Sequence, residues 1–210
     1  MQKTGTKTWN MVGLALMTAI VVVLQLVGAT IRFGTFSVSL VLVPIVVGAA
    51  LFGRLGGAWL GFVFGAVVLL SGDAAPFLTV NAAGTILTVL LKGTLAGLLA
   101  GVVYRLFQKW VFVFKNVETG KERWNINLGV VLAAVVCPVV NSGIFYIGCR
   151  LFFMDTIKEW AAAAGSENVA LYIIVGLIGL NFVFELLVNV ILSPVIVRII
   201  DLGKKHRRKA

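Results

Sequence analysis

The sequence predicts an all-α integral membrane protein: a bundle of six transmembrane helices with both termini in the cytoplasm. Three observations carry that prediction. Apolar residues dominate, at 60% of the chain, with a mean hydropathy of +1.05. Turn residues and charges divide the apolar sequence into six segments, four of a length suited to a bilayer and two shorter. The 18 Lys and Arg residues fall almost entirely between alternate segments, which is how a fixed orientation is written in a membrane protein.

The first span is predicted at 11–30, and it is long enough to stay as a helix rather than serve as a cleaved signal peptide. The second and third, at 36–53 and 55–70, are short. A bilayer core takes about 20 apolar residues at about 1.5 Å each, so these two borrow residues from their flanks or fill partial depth among their neighbours. The fourth, fifth and sixth follow at 83–106, 128–150 and 170–199. Six is the expected number of helices and four the alternative. No polar linker is long enough to divide the chain, so residues 1–210 form one domain.

With both termini in the cytoplasm, fourteen cations share that side: Lys3, Lys7, Arg54, Arg105, Lys109, Lys115, Lys121, Arg123, Arg198, Lys204, Lys205, Arg207, Arg208 and Lys209. Arg32, Arg150 and Lys158 face outward, and Lys92 lies inside the fourth span. The net charge of +10 is therefore a membrane-side feature and no sign of nucleic-acid binding. Each cation near an anionic leaflet gains about 1 kcal/mol. His206, the one histidine, sits in the solvated basic tail and is given no metal or acid/base role. Cys137 and Cys149 are twelve residues apart on one helix. That is about 18 Å, too far for a disulfide, so both read as small apolar fillers.

Missing motifs exclude several functions. The chain has no Walker A sequence, no HExxH, no GxSxG, no Cys pair at metal spacing and no acidic cluster for a divalent ion. It is expected not to be an enzyme, to hold no metal or cofactor, and to be unable to hydrolyse ATP alone. Asp73, Asp155, Glu159 and Glu167 lie on the outer side, and Glu118, Glu122 and Asp201 on the inner side. Glu185 is the acid left within the membrane.

Small residues recur at helical spacing. Ala15 and Ala19 form an AxxxA step in the first span; Gly53, Gly57, Gly61 and Gly65 run into the third; Gly93, Gly97 and Gly101 run through the fourth. Such ridges let helix backbones approach closely, a main source of association in lipid. Internal packing accounts for the glycine rows, while the first helix is free to present Ala15 and Ala19 to a partner. Trp9, Trp59, Trp110, Trp124 and Trp160 mostly sit near span ends, as interfacial anchors do.

Polar residues inside the spans are where function is sought, because each needs a partner, a cavity or a ligand. They are Lys92, Asn141, Asn181, Glu185 and Asn189. Lys92, Asn141 and Asn181 each come out near the bilayer midplane, about 13 to 18 Å from the outer ends of their spans. Asn181, Glu185 and Asn189 share a stripe on the sixth helix at i, i+4 and i+8. Lys92 and Glu185 either pair and orient the fourth and sixth helices, or meet a polar ligand that comes from outside. Two outer loops would cover that chamber. TIRFGTFS carries Arg32, Phe33 and Phe36; SGDAAPFLTVN carries Asp73 and Phe77, with turn residues at its start. The plain alternative is that both loops are connectors.

The AxxxA step, the run SVSLVLVPIVVGAALFGRLGGAWLGFVFG and the segments LLKGTLAGLLAGVVY and NFVFELLVNVILSP together resemble the substrate-binding S components of energy-coupling factor (ECF) vitamin transporters. The resemblance spans nearly the whole chain. It implies a membrane-embedded subunit of an ABC-type importer in a prokaryotic plasma membrane. Such a subunit captures a vitamin or related micronutrient from outside, in a pocket built by helices four to six under outer loops one, three and five. It implies docking on a transmembrane T subunit driven by two cytoplasmic ATPases, with Ala15 and Ala19 in the T-subunit contact.

The substrate-binding candidates are thus Lys92, Asn141, Asn181, Glu185, Arg32, Phe33, Phe36, Asp73 and Phe77. Lys92 and Arg32 suit a carboxylate, and Asn141 and Asn181 suit amides or hydroxyls, so an anionic vitamin such as pantothenate is one candidate. If Glu185 neutralises Lys92, a neutral ligand fits equally well, and a riboflavin-type one stays open. Two other classes remain. A stand-alone ion-coupled carrier would use Glu185 as its titrating site. A membrane scaffold would use only the glycine ridges and the basic tail.

Overall fold

The computed structural model describes the backbone of residues 2–30, 32–33, 36–37, 40–115 and 123–209. Helix α1 (Gln2–Thr30) is followed by a short antiparallel pair, β1 (Arg32–Phe33) and β2 (Phe36–Ser37), and then by α2 (Leu42–Leu70). A one-turn helix α3 (Ala75–Leu78) lies in the loop before α4 (Ala82–Phe107). A second hairpin, β3 (Val111–Lys115) and β4 (Arg123–Asn127), leads into α5 (Leu128–Phe152). Helix α6 (Met154–Ala163), the turn α7 (Val169–Leu171) and a widened π-helical stretch (Tyr172–Gly179) precede α8 (Leu180–Ile191) and α9 (Ser193–Lys209).

Gly53 divides α2. Its φ of 80° and ψ of −177° lie outside helical space, in a region that side-chain-bearing residues rarely adopt. Leu60 packs on Gly48, and Ala49 on Gly57. In a straight helix residues 48 and 60 would stand about 18 Å apart. The chain therefore doubles back at Gly53, and residues 42–52 and 54–70 form two antiparallel arms.

The glycine ridges then fit together. Gly57 faces Gly97 and Gly61 faces Gly93, each so closely that an added Cβ would overlap the opposite carbonyl; Gly65 meets Val89 in the same way. The second arm of α2 and α4 thus pack antiparallel at backbone contact, with the small residues supplying the approach. Helix α5 runs antiparallel to α4, with Gly148 on Thr88 and Gly84 on Phe152. Helix α1 lies along the α2 hairpin: Trp9 and Phe52 have ring centres 5.7 Å apart, and Trp59 Nε1 donates to Thr18 Oγ1 at 3.1 Å.

Among the described residues four helices are long and apolar enough to cross a membrane: Thr8–Thr30, Leu42–Leu70, Ala82–Phe107 and Leu128–Phe152. A fifth span results when Val169–Gly179 and Asn181–Ile191, bent by 44°, are taken together. An all-α membrane protein is therefore what the fold shows, and the six predicted spans differ from it in two places. Spans two and three fall within α2, as the two arms joined at Gly53. The sixth, predicted to run to residue 199, stops at Leu192, and α9 begins anew at Ser193. Pro194 is the cause in sequence: it lacks a backbone N–H and is tolerated in the first turn of a helix, not in its middle. Helix α9 packs back on the bundle, with Ile196 and Ile200 buried and Gly203 against Leu51. The two hairpins were expected as loops. VFVFK and RWNIN hold the β-branched and aromatic residues that strands favour.

The main core gathers Val21, Leu42, Ile45, Leu60, Ile196 and Ile200, and a smaller one gathers Cys149, Phe153, Ile157 and Ile173. Cys137 and Cys149 are both free and buried.

Candidate functional site

A cavity of about 610 Å³ lies at the end of the bundle that carries the 71–81 loop. Side chains from α1, the second arm of α2, α4, α5, α6, α8 and the π-helical stretch line it. Its volume falls in the range of small-molecule sites, and its wall is mostly apolar with a few convergent polar groups, as such sites are built.

Helix α4 starts at the cavity because Asn81 caps it: the Asn81 Oδ1 accepts from Gly84 N at 2.9 Å. Lys92 follows near the middle of that helix. Its Nζ sits between two rings, 5.7 Å from the centre of Phe64 on α2 and 5.2 Å from that of Phe145 on α5. Among the described residues no ion pair joins Lys92 to Glu185. Of the two alternatives the sequence leaves open, the helix-orienting pair is not formed here, and the aromatic faces attract the ammonium in its place.

Glu185 is held instead by two asparagines. Asn181 Nδ2 donates to Glu185 Oε1 at 3.2 Å from one turn away on α8. Asn141 Nδ2 donates to Glu185 Oε2 at 3.4 Å from α5, which closes the bundle across the cavity. Asn141 and Glu185 are 3% and 1% exposed. Asn189, on the same stripe, donates its Nδ2 to the Glu185 carbonyl at 2.8 Å and is not on the cavity wall.

Asp73 accepts from Gln25 Nε2 at 2.8 Å, so the 71–81 loop is tied to α1. Phe77, on the same loop, enters an aromatic cluster. Its ring centre is 5.4 Å from Phe145, 5.1 Å from Phe153 and 5.5 Å from Trp160, all edge-to-face, a favoured arrangement for aromatic pairs. Pro76 at the start of α3 presets the turn that presents Phe77.

Of the residues singled out in the sequence, Lys92, Asn141, Asn181, Glu185, Asp73 and Phe77 come together on this one cavity. The side chains of Arg32, Phe33 and Phe36 lie outside the described residues. Ala15 and Ala19 are both exposed on α1, away from the cavity. Sequence reasoning missed Gln25, Thr85, Thr88 and the aromatic wall formed with Phe64, Phe145 and Tyr172. Trp160, read as an interfacial anchor, lines the cavity as well. Gln25 had a signal: it is the one amide in the apolar stretch of the first span.

The family model described as ECF transporter, substrate-specific component, matches residues 10–197 of this chain. No curated protein and no solved structure matches it.

Proposed function

The chain belongs to the family of ECF transporter substrate-specific components, and on that premise we propose that it is the high-affinity binding subunit of an ECF-type importer. It takes a vitamin or related micronutrient from outside into the cavity beneath the 71–81 loop. A transmembrane T subunit and two cytoplasmic ATPases then drive delivery inward. The observation that carries this reading is the cavity itself: a ligand-sized space walled by aromatic rings, with buried amides, a carboxylate and an ammonium on its wall.

In this reading the chain crosses a prokaryotic plasma membrane six times, with both termini inside. The fold-back at Gly53 supports that number, since the arms of α2 then stand for the two short spans, the first filling partial depth among its neighbours. The fourteen cations on the proposed inner side support the orientation. Ala15 and Ala19 form the T-subunit contact. Both are exposed, on a helix whose Met11, Val12, Leu16 and Val23 are exposed too. Small residues there would let a partner helix come close.

Uptake of labelled micronutrients into cells producing this chain, with and without T and ATPase subunits, tests the proposal. Uptake that needs those subunits, with ligand binding that does not, is the expected result. Uptake by the chain alone would overturn the division of labour and point to a self-sufficient carrier.

A further inference from the structure

Three amide side chains line the cavity, and a carboxylate fixes the orientation of each. Gln25 Nε2 is turned to Asp73, and Asn141 Nδ2 and Asn181 Nδ2 are turned to Glu185. A carboxylate accepts hydrogen bonds, so an amide flipped the other way would set oxygen against oxygen. The amide oxygens are thereby committed: Gln25 Oε1, Asn141 Oδ1 and Asn181 Oδ1 are buried, and none has a hydrogen-bond donor. Thr88 Oγ1, on the same wall, is also buried without a partner. A buried acceptor left without a donor costs about 1–3 kcal/mol, so such groups in a folded protein call for an explanation.

Charge narrows the class of molecule that answers it. The wall holds one ammonium, Lys92, and two carboxylates, Asp73 and Glu185. Both signs of charge stand on the wall, so an anion drawn to Lys92 would also meet two carboxylates, and a cation drawn to the carboxylates would also meet Lys92. Phe64, Phe145, Phe153 and Tyr172 line the same space, an aromatic wall suited to a ring.

We infer that the cavity takes an uncharged, ring-containing molecule that brings at least three N–H or O–H donors to the amide oxygens of Gln25, Asn141 and Asn181. The inference rests on the proposed binding function and names the chemical class of its ligand. An anionic acid without such donors would leave all three acceptors unpaired and add charge repulsion.

The test uses the full-length chain in detergent and a yeast extract separated by ion exchange into anionic, neutral and cationic pools. Thermal melting is recorded with each pool, and the active compound is weighed by mass spectrometry in water and in deuterium oxide. The expected result is a rise in melting temperature with the neutral pool, from a compound that exchanges three or more hydrogens. Stabilisation by a charged pool alone, or by a compound with fewer exchangeable hydrogens, overturns the ligand class and leaves the binding function standing. No stabilisation by any pool overturns the binding function and the class with it. Asn181→Leu, compared at matched unliganded melting temperature, is expected to weaken binding of the active compound at least tenfold; unchanged affinity overturns the role of that amide.

Discussion

The Lys92 ammonium lies 5.2 Å from the centre of the Phe145 ring and forms no ion pair with Glu185 among the described residues. Lys92 therefore sits at the cavity wall, drawn by aromatic faces, with its N–H donors left for an occupant. Lys92→Ala is expected to weaken ligand binding by more than tenfold, through loss of a charge-assisted contact to a ligand acceptor. Calorimetric titration of the purified chain reads it. Unchanged affinity with a lowered melting temperature would make Lys92 a purely structural group.

Ala15 and Ala19 are exposed on α1, whereas Gln25, further along the same helix, is buried at the cavity. The double substitution Ala15→Trp with Ala19→Trp is expected to leave ligand affinity unchanged and to abolish uptake, because the bulk prevents close contact with a partner helix. Transport and binding measured side by side decide it, and retained uptake would remove these residues from the partner surface.

The Gln25 to Asp73 hydrogen bond anchors the loop above the cavity to α1. A bond to a carboxylate is worth about 1.5–3 kcal/mol. Gln25→Leu is expected to raise amide hydrogen exchange in residues 71–81 and to speed ligand dissociation. Exchange rates in that loop indistinguishable from those of the unaltered chain would show that the tie does not hold it.

Gly61 and Gly93 face one another at backbone contact. Gly61→Val forces α2 and α4 apart, and overpacking of this kind costs about 1–3 kcal/mol. A clear fall in melting temperature is expected, with reduced ligand affinity, since Phe64 and Lys92 stand one turn or less from the glycine pair. A melting temperature equal to the original would mean that the two helices are not held at the distance described.

The polar half of the site was legible in the sequence because a charge or an amide stands out within an apolar span. Lys92, Asn141, Asn181 and Glu185 were found on that ground alone. The pairing was not legible. Spacing gave Glu185 to Asn181 on one helix face, yet which of Lys92 and Asn141 reaches Glu185 depends on how α4, α5 and α8 rotate in the bundle. The aromatic wall was hidden for a different reason: Phe145 and Phe153 look like any lipid-facing residue until the packing shows which way they turn. Thr85 was hidden because a threonine in a membrane helix satisfies itself readily, here by donating to the Asn81 carbonyl at 2.8 Å, and Thr88, whose Oγ1 has no partner, looks the same in sequence. In the fold, the break near Gly53 was readable from the charge and glycines of FGRLGG, and the end of the last span was overrun because Ser193 and Pro194 sit within an unbroken apolar stretch.

The fold-back at Gly53 also constrains how the chain is made. The arm 42–52 is about 16 Å long, roughly half the thickness of a bilayer core, and too short to be recognised by itself as a stop in the insertion machinery. It enters lipid only together with the arm that follows, as a preformed hairpin whose exposed backbone groups are satisfied within it. The membrane step that follows α1 is therefore the entry of a helical hairpin with its turn at residue 53, rather than of a second lone helix.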